Sequence, residues 1–214
     1  MKKIGMNVYS INELEKDVKA KVIDRHRYDF SEFLNDDIQD EFKEILEAKG
    51  YPTDDIRYRL SNSQGDGMAF YGEIDTKDFI KKRLSELEEC LDKHDLRRVK
   101  YVAKSGYELT IEKLMAFHIY DHYNTMIVRE NYADDHVDYR AKKNDIEKIE
   151  NSIFELAEFI RNDMRDVSRE LEKLGYDIID RYTNDEYVEE CIIGCDMYFT
   201  EDGEYIDITE CEGM

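Results

Sequence analysis

No run of apolar residues comes near the roughly 20 that would cross a bilayer. The opening residues, MKKIGMNVYS, lack the apolar core of a secretory leader. The expectation is a protein that stays in the cytoplasm of the cell that makes it, with no membrane partner. Tryptophan is absent too, so the bulk of a core falls to nine Phe and sixteen Tyr. No GxxxxGK[ST] run cradles a phosphate, and no G-x-S-x-G exposes a nucleophilic serine. The four cysteines, Cys90, Cys191, Cys195 and Cys211, include no C-x-x-C pair. Cys191, Cys195 and Cys211 would offer three zinc ligands, but no His is near them in sequence. The simpler expectation is reduced thiols that pack as small buried hydrophobes.

Cations are scarce as well. There are 31 Lys and Arg against 52 Asp and Glu, a formal net charge of −21. Such a chain repels nucleic acid and anionic membrane and attracts basic protein surfaces. The imbalance is uneven. No Lys or Arg follows Arg181, and the last 33 residues hold 11 Asp or Glu. Asp29, Glu32, Asp36, Asp37, Asp40, Glu41 and Glu44 have only Lys43 among them. Lys77 to Lys104, by contrast, holds nine basic and six acidic residues. The expected contact surfaces are therefore the helix carrying Asp36, Asp37, Asp40, Glu41 and Glu44, and the tail carrying Asp185, Glu186, Glu189, Glu190, Glu201 and Asp202.

What is present predicts a folded chain: 214 residues, 41% of them hydrophobic, suffice for a substantial core. Ile56, Tyr58 and Leu60 alternate with polar residues, as do Met68, Phe70, Gly72 and Ile74, which predicts a hairpin with its apolar set on one face. Between the arms, SNSQGDG is a glycine-rich turn that either serves geometry alone or presents Gln64 and Asp66 to a ligand. Helices are predicted after Ser10, with Glu13 completing a capping box, up to Gly50 with Phe33, Ile38, Phe42, Ile45 and Leu46 inward, and from a Thr76 cap. Strands are predicted at Val99–Ala103, Tyr107–Ile111 and Phe117–Arg129. From Val137 to Leu174 there is neither Gly nor Pro, and apolar residues from Ile146 to Leu174 recur at steps of three and four. They predict a long amphipathic helix ended by Gly175, its seam covering the sheet or reaching a second copy in a homodimer. A strand at Asp177–Tyr182, a short helix capped by Thr183 and Glu186, and a closing hairpin around Glu201-Asp202-Gly203 complete the reading. The fold class is α+β: an antiparallel sheet built from hairpins and packed against several helices, one of them long. The chain reads as one domain over 1–214, with a subdivision at 1–136 and 137–214.

Catalytic signals are thin. His118, Asp121 and His122 are the best metal-like group, but in a strand His118 and His122 would stand about 13 Å apart, too far to share one ion. Asp134-Asp135 and Asp36-Asp37 are paired carboxylates of the kind nuclease metal sites use, and chance pairs are common in so acidic a chain. No cofactor and no metal are expected.

The run SNSQGDGMAFYGEID, Tyr123-Asn124-Thr125-Met126, and the ending Tyr182-Thr183-Asn184-Asp185-Glu186 with Phe199-Thr200-Glu201-Asp202-Gly203 together resemble uncharacterised bacteriophage and prophage proteins with an SQGDG-type motif. The resemblance brings no reaction. It implies a phage accessory gene, a setting in which inhibitors of host defence, such as anti-CRISPR proteins, are common. The expected function is an acidic binding protein that inhibits a host nucleic-acid-directed enzyme by mimicking DNA. Its partner would be a basic host protein such as a CRISPR effector. Two alternatives stand beside it: an enzyme acting on a nucleotide or signalling molecule through Gln64, Asp66 and His122, and an oligomeric phage accessory protein.

Overall fold

The computed structural model describes residues 7–104, 108–115, 120–131 and 143–207. Along the chain these form β1 (Tyr9–Ser10), a 3-10 turn (Ile11–Glu13), α1 (Lys16–His26), α2 (Leu34–Lys49), β2 (Asp55–Arg59), β3 (Gly67–Ile74) and α3 (Thr76–Lys82). Then follow α4 (Leu84–Cys90), α5 (Lys93–Lys104), β4 (Glu108–Lys113), β5 (Met126–Asn131), α6 (Lys143–Thr183), α7 (Asp185–Gly194), β6 (Tyr198–Phe199) and β7 (Tyr205–Ile206). The architecture is α+β with antiparallel strand pairing in both sheets. Two compact units divide the chain: Gln39–Gly175, and the segments up to Ile38 and from Tyr176 taken together.

The first unit is built on a four-stranded sheet in the order β2-β3-β4-β5. The predicted hairpin is there, with Ile56 opposite Phe70 and Tyr58 opposite Met68. One expectation fails. β3 is not half-exposed: Gly67 to Tyr71 are all buried, so both faces are covered. A strand in the middle of a sheet with packing on both sides need not alternate in polarity. Tyr51 packs its ring against Phe70 and Phe79, at centroid distances of 5.0 and 5.4 Å. The seam of α6 covers the sheet: Ile153, Leu156, Ile160, Met164, Val167 and Leu171 are buried within the chain. Ser168, in the same seam, donates its hydroxyl to the Met68 carbonyl.

Gly175 was expected to stop this helix, but the helix runs on to Thr183, and Asp177–Tyr182 is helical rather than a strand. The glycine serves a close approach instead. A Cβ there would land on Leu60 Cδ1 and stand 3.1 Å from the Phe42 ring. A glycine within a helix costs only about 1 kcal/mol, which a well-packed seam offsets. Gly50, in contrast, does end α2, with φ +81. Val99–Ala103 is also helical. Asp92 caps α5 by accepting from the backbone N–H of His94 and Asp95, and Leu96, Val99 and Ala103 recur at helical spacing and are buried. The third helix is capped by Asp75 and not Thr76, and it breaks at Arg83 into α3 and α4.

The second unit gathers α1, α7 and the small sheet β1-β6-β7 around Ile11, Val22, Ile23, Val188, Ile192 and Phe199. Glu13 does reach back to the Ser10 N–H at 2.8 Å, but this heads the 3-10 turn, and α1 starts only at Lys16. Asn184 caps α7 by accepting from Tyr187 N, while Thr183 bonds back to the Ile179 carbonyl, so the predicted Thr183–Glu186 box does not form. The closing hairpin is present, turned at Gly203 with φ +84. Phe33, expected inward, is 63% exposed and lies ahead of α2. Among the described residues, no helix is long and apolar enough to cross a membrane.

Candidate functional site

The glycine-rich loop between β2 and β3 folds onto its own aspartate. Asp66 accepts hydrogen bonds from the backbone N–H of Ser61 (2.7 Å) and Ser63 (3.0 Å), and from both serine hydroxyls at 2.9 and 3.0 Å. A carboxylate with so many short donors organises a turn. Its two oxygens are shared among the loop's own donors. Gln64 projects from the same loop, exposed. The glycines answer to a neighbour. Gly65 has φ +100, and a Cβ there would strike the Tyr120 ring, while one at Gly67 would strike His122 Cβ and come within 3.0 Å of the Asp121 carbonyl.

The loop therefore rests on the turn that leads into β5, and Gln64, Asp66 and His122 do lie in adjoining segments. The segment expected to be strand at 120–125 is a turn, closed by Thr125 N donating to the His122 carbonyl at 2.8 Å. His122 Nδ1 accepts from Asn124 N at 3.1 Å. Of the three residues expected to converge, Asp66 and His122 thus each accept from backbone N–H groups. His118 lies outside the described residues, as do Asp134, Asp135 and Cys211. Cys90 and Cys195 are exposed, contrary to the expectation of buried thiols. No three His, Cys, Asp or Glu side chains among the described residues gather closely enough to hold a metal.

Beneath the turn lies a charged cluster that sequence reading missed. Asp121 accepts from the Tyr71 hydroxyl at 2.7 Å and pairs with Lys113 Nζ at 2.8 Å. The Arg57 guanidinium lies over the Tyr71 ring at 5.4 Å. Burial, supported by the Asp121 carboxylate and opposed by a hydrogen bond with Thr125, pushes the Tyr71 hydroxyl well above its ordinary value. For Asp121, burial raises the carboxyl, but Lys113 and the Tyr71 hydroxyl outweigh it and hold the group below its usual range. Four residues, Arg57 on β2, Tyr71 on β3, Lys113 on β4 and Asp121 in the turn, carried no local pattern that could have joined them.

The acidic faces divide by partner. On α7, Asp185 pairs with Arg27 at 2.8 Å and Glu189 with Lys19 at 2.6 Å, so both are neutralised by α1. Glu186 and Glu190 fall on the outer side of that helix, exposed. On α2, Asp37 accepts from the Tyr182 hydroxyl, and Glu41 is half-buried and engaged. Asp36, Asp40 and Glu44, each four residues from the next, are exposed on the outward face. Among the described residues, Asp36, Asp40, Glu44, Glu186, Glu190, Glu201 and Asp202 form no ion pair. Like charges at i, i+4 destabilise a helix by roughly 0.2–0.5 kcal/mol a pair. The surface of α2 thus carries charge at a cost to its own stability.

Residues 34–179 match a family model whose description is Domain of unknown function (DUF8835). No curated protein and no solved structure matches the chain.

Proposed function

The chain belongs to the DUF8835 family, and we propose that it is an acidic binding protein that occupies the nucleic-acid channel of a basic enzyme. The class of target is a nucleic-acid-directed host defence enzyme such as a CRISPR effector, with the chain acting as a phage-encoded inhibitor. The observation that carries this reading is the row Asp36, Asp40 and Glu44 on α2, carboxylates at regular spacing with no ion pair among the described residues. Each step along that row is about 6 Å of helix rise, against about 3.4 Å per phosphate along one DNA strand. A basic channel that tracks phosphates would meet one of these groups at roughly every second phosphate position. Glu186, Glu190, Glu201 and Asp202 extend the supply of unneutralised charge, while Asp185 and Glu189 serve the fold. The overall charge of −21 favours rapid encounter with a cationic partner and disfavours direct contact with nucleic acid.

The test is competition between the chain and a fluorescent DNA duplex for a purified CRISPR nuclease, at low and high salt. The expected result is displacement of the duplex that weakens several-fold as salt rises, and that is lost in the Asp36→Lys, Asp40→Lys, Glu44→Lys variant. Displacement indifferent to salt, or unchanged in that variant, refutes the electrostatic reading. No displacement from nucleases of several types removes the inhibitor role.

A further inference from the structure

The basic segment Lys77–Lys104 folds into α3, α4 and α5. Two grooves, of about 570 and 280 Å³, run along one face of α5. The first lies between α4 and α5 and carries Lys93, Arg97 and Lys100 on its rim. The second lies between α3 and the far end of α5 and carries Lys77, Lys81 and Lys104, with Lys100 shared by both. The α5 residues involved, at positions 93, 96, 97, 100, 103 and 104, follow one helical stripe about 16 Å long. The opposite side of α5 is occupied, because Asp95 accepts from the Ser152 hydroxyl of α6 at 2.7 Å.

Floor and rim differ in character. Leu91 and Leu96 line the first groove, and Ile80, Leu84 and Ala103 line the second; Leu84 is half-buried, and the other four show only the small edge their own packing leaves open. The rim is cationic, with Glu88 the single acid lining either groove. None of the six cations forms an ion pair among the described residues, whereas the neighbouring Lys82, Arg83 and Arg98 are all paired. In a chain with 52 acids, six clustered cations that form no ion pair among the described residues are a charge pattern that an incoming anionic partner completes.

We infer that this groove docks an amphipathic acidic helix of a partner protein, its apolar side on the floor and its carboxylates on the lysine rim. The apolar floor favours such a segment over nucleic acid, whose backbone offers charge without an apolar face. The inference is independent of the proposed function, which rests on α2 and α7.

The probe is a fluorescein-labelled 18-residue peptide with leucine at helical spacing on one face and glutamate on the other, titrated with the full chain and followed by anisotropy. Saturable binding is expected, weakened at least tenfold by Lys100→Glu with Lys104→Glu and unchanged by Lys173→Glu on α6. Circular dichroism verifies that each variant folds. A second pair, Lys93→Glu with Arg97→Glu, is expected to weaken binding at least fivefold. The inference is overturned if no saturable binding occurs, if a scrambled peptide of the same composition binds equally, or if Lys100→Glu with Lys104→Glu leaves affinity intact. Tighter binding of an 18-base-pair duplex than of the peptide would give the groove to nucleic acid. Sedimentation showing self-association that Lys100→Glu abolishes would give it to a second copy. Either result overturns the inference.

Discussion

Asp163 holds Arg83 through both terminal nitrogens of the guanidinium, at 2.8 and 2.6 Å, and accepts the Tyr51 hydroxyl at 2.6 Å as well. Arg83 stands at the break between α3 and α4, and its side chain is 8% exposed. Its Nε faces Glu86 at 3.3 Å, an ion-pair distance without hydrogen-bond geometry. Removing Asp163 leaves the buried guanidinium only the half-exposed Glu86, a loss that approaches that of a broken buried pair, about 3–5 kcal/mol. Asp163→Ala is therefore expected to lower the free energy of unfolding by about that amount in urea. Replacing the set together, Arg83→Met with Asp163→Leu and Tyr51→Phe, is expected to lose much less.

Gly65 and Tyr120 test the glycine-rich loop. Alanine at 65 must adopt φ +100 and displace the Tyr120 ring. The expected loss is about 1–3 kcal/mol. Adding Tyr120→Ala to Gly65→Ala should recover the steric part only, leaving the backbone part. Full recovery would show that the conformation itself costs nothing.

Asp40 tests whether α2 carries charge for a partner. It has like charges four residues away on both sides, Asp36 and Glu44. Asp40→Lys turns two repulsions into attractions and is expected to stabilise the chain by roughly 0.5–1 kcal/mol. The melting temperature should rise while competition against the duplex falls. A variant that is both less stable and equally inhibitory would separate α2 from binding.

Asp121 sets part of the acid limit. Its folded-state carboxyl lies below the usual range because Lys113 and Tyr71 prevail over burial. The stability it supplies is present above its unfolded value, near about 3.9, and is lost as pH falls through the lower folded value. Wild type and Asp121→Asn should differ most above about pH 5, and the gap should close as the solution is acidified. A gap constant across that window removes the assignment.

Tyr182 supplies the alkaline counterpart. Its hydrogen bond to Asp37, then burial, raises the phenol to about 12. Stability from this contact is full below the ordinary phenol range near about 10 and is lost as pH climbs through the raised value. Absorbance titration should show one late tyrosine fewer in Tyr182→Phe, and Asp37→Asn should return Tyr182 to earlier ionisation.

The hairpin was legible because its period-two pattern and its glycine turn are both local. So was the long helix, through its seam. Its end was not, because Gly175 answers to Leu60 and Phe42, residues more than a hundred positions away. Val99–Ala103 misled for a related reason. Its β-branched residues and tyrosine favour strand locally, and only the Asp92 cap with the spacing of Leu96, Val99 and Ala103 reveals helix. Of the acidic surface, composition disclosed the amount but not the pairing. That Asp185 and Glu189 face Arg27 and Lys19, while Glu186 and Glu190 do not, depends on where α1 lies.

The strand at Tyr9–Ser10 pairs with Tyr198–Phe199, residues made nearly two hundred positions later. While the chain is being synthesised, the Gln39–Gly175 portion can form as a compact unit, but the opening strand has nothing to pair with until its distant mate is translated. Released chains truncated just before residue 198 should therefore carry protease-sensitive leading segments ahead of a protected middle.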